Sequence, residues 1–173
     1  MDAALLAAHI ELKASEIDVL QAIRSTPFHD DMVQAVETLA AAGCDMVILS
    51  DANTIFIKEI IDHHGLSQHF LAVYSNVAVW KEGALRVRPF HRADIPHRCP
   101  DCPSNLCKGQ VLDSILANKS YQRVVYLGDG AGDFCPSKRM RPSDYVLARE
   151  CYPTGKACTQ MWGQHSQLLP SCA

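Results

Sequence analysis

Apolar residues recur along the chain with two different spacings, which predict the order of helices and strands. Apolar residues three and four positions apart predict helices at residues 14–24, 30–42, 53–65 and 108–118. Short apolar runs between them predict buried strands at residues 44–50, 70–76, 123–129 and 144–148. This alternation is typical of an α/β fold, in which helices cover both faces of a parallel sheet.

Residues with special backbone roles mark some of the element boundaries. Either Asp30 or Asp31 can cap the second helix, and Gly43 follows its end. Residues 81–107 are rich in Pro, His and Cys and have little periodicity. We therefore predict that this His/Cys-rich segment is an excursion that contributes no core element.

Composition narrows the class of protein. The chain has 173 residues, 48% of them hydrophobic, which is enough for one domain with a substantial core. The net charge of -3 and the lack of a basic stripe argue against nucleic-acid binding. No run of about 18 apolar residues predicts a membrane span, and the first residues lack the features of a signal peptide. We therefore predict a cytoplasmic location, and the sequence leaves the oligomeric state open.

Carboxylates follow the strongest predicted strand, in the stretch LGDGAGD. In parallel sheets, ligands bind beyond the carboxyl ends of the strands. Asp129 and Asp133 offer oxygen ligands of the kind that Mg²⁺ prefers. The alternative is that the glycines only shape a turn while the two aspartates cap the next helix. The spacing of the acidic pair favours a metal-binding loop.

Two further polar features have both a functional and a structural interpretation. In the stretch ILSDAN, Ser50 can offer its hydroxyl to an anion, with Asp51 and Asn53 on the same rim. The same residue types are also ordinary N-caps for the following helix. Lys108 opens a later helix, where its ammonium can neutralise a phosphate, although a single lysine is more often a solvated surface charge.

These motifs, taken in order, resemble those of the haloacid dehalogenase-like phosphatases. The stretches ILSDANTIFI, RPFH, CPSNLCKG and YLGDGAGDFCPS resemble the phosphoethanolamine/phosphocholine phosphatase and pyridoxal-phosphate phosphatase group, in its plant-like branch. The resemblance covers residues 1–153. It implies a Rossmann-like, three-layer α/β core at residues 29–153 and hydrolysis of small phosphorylated metabolites such as phosphocholine, phosphoethanolamine or pyridoxal phosphate.

The resemblance also implies roles for individual residues. Ser50 corresponds to the phosphate-binding residue of the second motif, and Asp51 to a substrate contact. Lys108 corresponds to the lysine of the third motif. Asp129 and Asp133 correspond to the acidic pair that holds Mg²⁺.

One family motif does not occur in the sequence. These enzymes attack phosphorus with the first aspartate of an Asp-x-Asp-x-Thr motif at the end of a central strand, and no Asp-x-Asp triplet is present. Residues 1–28 instead resemble the small helical cap that follows this motif. We therefore expect that the chain begins inside the cap and lacks the first, central strand. Residues 154–173 form an irregular tail outside the family pattern.

This departure leaves more than one function open. The chain can be a truncated form of a phosphatase that is active when complete. The alternatives are a pseudoenzyme that binds an anion or a partner without turnover, and a fragment without function.

The cysteines suggest a second kind of site. The chain has eight, and without a secretion signal, reduced thiols or a metal site are favoured over a disulfide framework. Cys99, Cys102 and Cys107 are spaced loosely like zinc ligands, and either His91 or His97 can supply the fourth ligand, with His97 the candidate we name. The alternative is that these cysteines are simply buried.

The missing nucleophile makes a direct prediction. With Mg²⁺ and phosphocholine, we expect the purified 173-residue chain to show little or no phosphatase activity, because no residue is available to form the covalent intermediate. A steady-state assay beside an intact relative tests this. Turnover within about tenfold of that relative, abolished by Asp129→Ala, would contradict it.

Overall fold

The structure is a computed structural model, and it describes residues 14–149 and the backbone of residues 167–169. Its α-helices are α1 Glu16–Arg24, α2 Asp30–Ala41, α3 Thr54–His63, α4 Lys108–Asn118 and α5 Phe134–Ser137. Its strands are β1 Met46–Asn53, β2 Phe70–Lys81, β3 Ala84–Arg88, β4 Val125–Gly128, β5 Tyr145–Arg149 and β6 Gln167–Leu169. Within this described part of the chain, no helix is both long enough and apolar enough to cross a membrane.

The chain divides into two compact units, residues 1–90 and residues 91–173. In the first unit the sheet order is β1-β2-β3, with β1 parallel to β2 and β2 antiparallel to β3. In the second unit the order is β4-β5-β6, and all pairs are parallel. This mixture of helices and parallel strands confirms the predicted α/β class. Among the described strands, β1 and β4 each pair with one neighbour. The absence of the family's central strand from this chain stays a prediction.

The described strands include one inside the segment predicted to be an excursion. The strand β3 pairs with β2 through a two-residue turn, in which Lys81 lies opposite Ala84. The turn residues Glu82 and Gly83 have φ angles of 54° and 72°, and such turns match the twist of paired strands. In the stretch ALRVR, apolar and charged residues alternate, and Leu85 is buried. This short alternation was the signal for β3.

The start of α2 also differs from the prediction. His29 is its N-cap residue and makes no side-chain capping hydrogen bond. Asp30 and Asp31 lie in the first turn instead, where negative charge is favourable because of the helix dipole. Gly43, predicted to end the helix, follows it with a φ of 72°.

Asn76 secures the carboxyl end of β1. The pairing of β1 with β2 is irregular between Leu49 and Asn53. There the buried Asn76 donates from Nδ2 to the carbonyl oxygens of Asp51 and Ala52, at 2.7 and 2.9 Å. Its Oδ1 accepts the N–H of Phe90 at 3.1 Å. Since a sheet ladder is interrupted here, this one side chain replaces hydrogen bonds that regular pairing would supply.

Asp144 secures the start of β4 in the second unit. Its buried carboxylate accepts hydrogen bonds from the backbone N–H groups of Val124 and Arg141, at 3.0 and 2.9 Å. The guanidinium of Arg141 adds two more, at 2.9 and 2.8 Å. The hydrogen bonds from Arg141, opposed by burial and aided by Val124, lower the pKa of Asp144 to about 2.

This lowered pKa predicts a loss of stability in acid. Because the folded-state pKa lies below the ordinary value of 3.8, the stabilisation is present above pH 4 and is lost as the pH falls towards 2. We expect Asp144→Asn to lower the free energy of unfolding by about 2 kcal/mol at pH 7 and by much less near pH 2. Urea denaturation at both pH values measures this difference.

The matched control is Asp94→Asn. Asp94 also pairs with an arginine in the same unit, Arg92, but both side chains are mostly exposed. We expect little change in the free energy of unfolding at either pH, because solvent screens an exposed ion pair. An equal effect of the two substitutions would show that burial of Asp144 is not what makes its ion pair stabilising.

Candidate functional site

Asp133 lies at the centre of the loop that follows β4. Its side chain is buried, and Oδ1 accepts hydrogen bonds from the Lys108 ammonium at 2.8 Å and the Tyr126 hydroxyl at 2.7 Å. Oδ2 accepts the backbone N–H groups of Asp129 and Gly130, at 3.1 and 2.9 Å. Both carboxylate oxygens are therefore engaged by the protein, and the loop is folded around them.

Lys108 is buried rather than a solvated surface charge. It is the first residue of α4, and its side chain is only 10% exposed. Its ammonium pairs with Asp133, whose side chain is 6% exposed. A charge that has left water needs such a partner, because removing one member of a buried pair leaves an uncompensated charge. The lysine is thereby held at the loop that carries Asp129.

Asp129 is placed differently from Asp133. It directly follows β4, its side chain is 58% exposed, and its Oδ2 lies 4.0 Å from Nη1 of Arg149. An exposed carboxylate at a strand end suits Mg²⁺, which takes one or two protein carboxylates and keeps several waters. Of the acidic pair, Asp129 is thus the residue that fits as a direct ligand. Asp133 shapes the loop.

Gly128 makes this loop geometry possible. A Cβ atom at this position would lie 2.5 Å from Cβ and 2.6 Å from Cγ of Asp133. Such contacts are well inside van der Waals distance, so a larger residue would displace the buried carboxylate. The glycine therefore permits a close approach and does more than allow a turn.

Ser50, Asp51 and Asn53 belong to the first unit, at the carboxyl end of β1. The hydroxyl of Ser50 accepts the N–H of Ala52 at 3.2 Å. Asn53 is buried and caps α3, since its Oδ1 accepts the N–H groups of Ile55 and Phe56 at 3.1 and 3.0 Å. Asn53 therefore serves as the helix N-cap, which was the structural alternative to a binding role. The substrate-binding roles of these three residues stay predictions.

The predicted zinc ligands lie together, with one change. The Sγ atoms of Cys99, Cys102, Cys107 and Cys135 all lie within 4.8 Å of one another. His97, predicted as the fourth ligand, uses its ring otherwise: Nδ1 accepts the N–H of Cys99 and Nε2 bonds the carbonyl of Pro103, both at 3.0 Å. The fourth position of the cluster is filled by Cys135 instead.

Two residues of the second unit were missed by sequence reasoning. Tyr126 reads as an apolar strand residue, and nothing in the pattern indicates that its hydroxyl contacts Asp133. Cys135 is 28 residues beyond Cys107, too far for a spacing rule to connect them. The available signal was its position two residues after Asp133, on the loop already assigned to the site.

Comparisons with known proteins show the family to which the chain belongs. The chain matches the model of the family described as "Putative Phosphatase" over residues 1–170. It is 40% identical to a thiamine phosphate phosphatase-like protein and 36% identical to inorganic pyrophosphatase 1, both of Arabidopsis thaliana, over 80% and 92% of its length. It is 32% identical to pyridoxal phosphate phosphatase PHOSPHO2 of Mus musculus over 87% of its length.

These matches cover 59%, 56% and 63% of the three relatives, so the chain spans little more than half of their length. The relatives are named as phosphatases of small phosphorylated compounds. The family match includes every residue of the loop around Asp133. The chain therefore belongs to the Putative Phosphatase family, a group of haloacid dehalogenase-like phosphatases.

Proposed function

We propose that this chain forms the phosphate-binding and Mg²⁺-binding part of a phosphatase that hydrolyses small phosphomonoesters. The observation that carries the proposal is the buried pair of Lys108 and Asp133 beside the exposed carboxylate of Asp129. Burying such a pair costs desolvation free energy. A site that must hold an ammonium in a fixed position beside a phosphate gives a reason for this cost.

The residues divide the binding work among them. Asp129 holds the metal ion, and Asp133 holds the loop through its hydrogen bonds to the N–H groups of residues 129 and 130. Lys108 directs positive charge at a phosphate oxygen. For the Ser50 hydroxyl, a phosphate-binding role is what the family resemblance implies. Because these donors are held by the fold, little reorganisation is needed when charge develops on the transferring group.

When bound, Mg²⁺ supplies further positive charge next to the phosphoryl group. The covalent step needs the aspartate of an Asp-x-Asp-x-Thr motif, which the resemblance implies and the 173 residues do not contain. The proposal for this chain therefore concerns binding and charge stabilisation. The second candidate is a non-catalytic anion-binding protein, which the same absence of an Asp-x-Asp triplet favours.

The substrate class follows from what the relatives' names share. These proteins are named for thiamine phosphate, pyrophosphate and pyridoxal phosphate, and phosphate is the one group that all three compounds contain. Phosphate is also the group that the Lys108 ammonium and a metal ion held by Asp129 would bind. We propose a small phosphorylated metabolite as the ligand, with phosphocholine and phosphoethanolamine as further candidates.

Binding can be measured without turnover. We expect millimolar phosphate with Mg²⁺ to raise the melting temperature by a few degrees, because a ligand of the native state stabilises it by mass action. Lys108→Ala and Asp129→Asn should each remove most of the shift, measured from each variant's own baseline. Lys119→Ala, at the other end of α4, is the control and should keep it. A shift that persists in both site variants would place the phosphate elsewhere.

The different roles of the two aspartates can be separated by stability. We expect Asp133→Asn to lower the free energy of unfolding by about 3 kcal/mol, because it leaves the Lys108 ammonium buried without its carboxylate. Asp129→Asn should change it by less than about 0.5 kcal/mol, since this side chain is mostly exposed. Urea denaturation measures both.

A double variant completes the comparison. Adding Lys108→Met to Asp133→Asn should recover part of the lost stability, because the unpaired charge is then gone. If Asp133→Asn and Asp129→Asn were equally destabilising, or the double variant were no better than the single one, the positioning role of Asp133 would be wrong.

A further inference from the structure

The four clustered cysteines have the spacing of a tetrahedral metal site. The Sγ of Cys135 lies 3.6 Å from that of Cys99 and 3.9 Å from that of Cys107. Sulfurs bound to Zn²⁺ at about 2.3 Å in a tetrahedron lie roughly 3.8 Å apart. A disulfide would need about 2.05 Å. We propose that Cys99, Cys102, Cys107 and Cys135 bind a structural Zn²⁺ ion.

A backbone N–H group donates to one of the sulfurs. The N–H of Gln110 donates to Sγ of Cys107 at 3.4 Å. Hydrogen-bond donors of this kind stabilise thiolates and orient metal ligands.

The charges around the cluster suit a thiolate-bound metal. Zn²⁺ binds thiolates and releases their protons, so four thiolates and one Zn²⁺ keep two negative charges. Two cations follow Cys135 in the sequence, Lys138 and Arg139, and each also pairs with a carboxylate, Asp101 and Asp113 respectively.

Gly109 leaves room for this arrangement. A Cβ atom there would lie 2.6 Å from the Sγ of Cys135 and 2.3 Å from Nε of Arg139. The first turn of α4 therefore approaches the cluster more closely than any side chain would allow.

His97 acts as a support and not as a ligand. The carbonyl of Pro103 can only accept, so Nε2 carries the proton and Nδ1 accepts the N–H of Cys99. With both ring nitrogens engaged, the imidazole joins the two ends of the loop that contains Cys99 and Cys102. This explains a histidine beside the cluster without placing it on the metal.

A bound ion would also order a segment that has little else to hold it. Residues 89–107 form neither helix nor strand. The aliphatic side chain Leu106 is fully buried there, whereas Ile95 is 68% exposed. Structural zinc commonly replaces a hydrophobic core in segments of this kind, and its binding free energy then becomes folding free energy.

The position of the ligands links the zinc site to the loop around Asp133. Cys107 directly precedes Lys108, and Cys135 lies two residues after Asp133. One ion would therefore join the two segments whose side chains form the 2.8 Å ion pair. This consequence rests on the proposed function, in which that pair positions a phosphate. The zinc site itself does not.

Metal analysis of the purified chain tests the site directly. Protein produced with zinc in the medium should carry about one equivalent of Zn²⁺. Cys102→Ser and Cys135→Ser should each weaken zinc affinity by at least about tenfold, since even supporting residues contribute that much. Cys44→Ser, in the first unit and exposed, is the matched control and should keep the metal. His97→Ala should keep the stoichiometry.

The ligand set has an independent readout if a cysteine variant fails to fold. Co²⁺ added to the metal-free wild-type chain should give the sulfur-to-cobalt absorption of four thiolates, rather than of three thiolates and one imidazole. Wild-type protein that binds neither metal, or in which mass spectrometry finds disulfides among these cysteines, would overturn the proposal. Loss of metal in His97→Ala with retention in Cys135→Ser would overturn the ligand set.

The link to the phosphate site has its own outcome. Chelation of the zinc should reduce the melting shift caused by phosphate and Mg²⁺ in the wild-type chain. An unchanged shift after verified zinc removal would disprove the positioning role. Absence of any shift while zinc is bound would count against the proposed function and leave the zinc site standing.

Discussion

The second unit depends on one buried carboxylate. Asp133 accepts hydrogen bonds from an ammonium, a phenol and two backbone N–H groups. The ammonium comes from α4 and the phenol from β4, and the two N–H groups belong to the loop between β4 and α5. Hydrogen bonds to a charged acceptor are among the stronger ones, and leaving any partner unmatched in a dry site is costly. The fold of the loop, the burial of Lys108 and the exposure of Asp129 all follow from satisfying this group.

The cysteine cluster contains residues from the same two segments as the ion pair, the start of α4 and the start of α5. Cys107 directly precedes Lys108, the first residue of α4. Cys135 lies in α5, two residues after Asp133. The proposed metal ion and the observed ion pair of Lys108 and Asp133 would thus both join the start of α4 to the start of α5, and we call this contact the junction. The ion pair alone is a weak source of net stability, because desolvation offsets much of its attraction. The binding free energy of a structural zinc ion adds to the folding free energy, so the proposed metal would stabilise this junction beyond what the ion pair provides.

Each unit contains residues for which the family resemblance implies a role. Ser50 and Asp51 lie at the carboxyl end of β1 in the first unit, and Asp129 directly follows β4 in the second. Each position is the end of a strand that has a parallel neighbour, and ligands in α/β proteins bind beyond such ends.

The sequence by itself determined the α/β class, most helices and strands, and the acidic loop, because apolar periodicity and glycine-flanked carboxylates are local signals. Its short-range rules also found Cys99, Cys102 and Cys107. Only the tertiary structure decided that both carboxylate oxygens of Asp133 accept hydrogen bonds while Asp129 is exposed. It also decided that Asn53 is the N-cap of α3. It likewise brought Cys135 to the other three cysteines and the Tyr126 hydroxyl to Asp133. These outcomes depend on which atoms meet after distant segments pack, and no spacing rule along the chain contains that information.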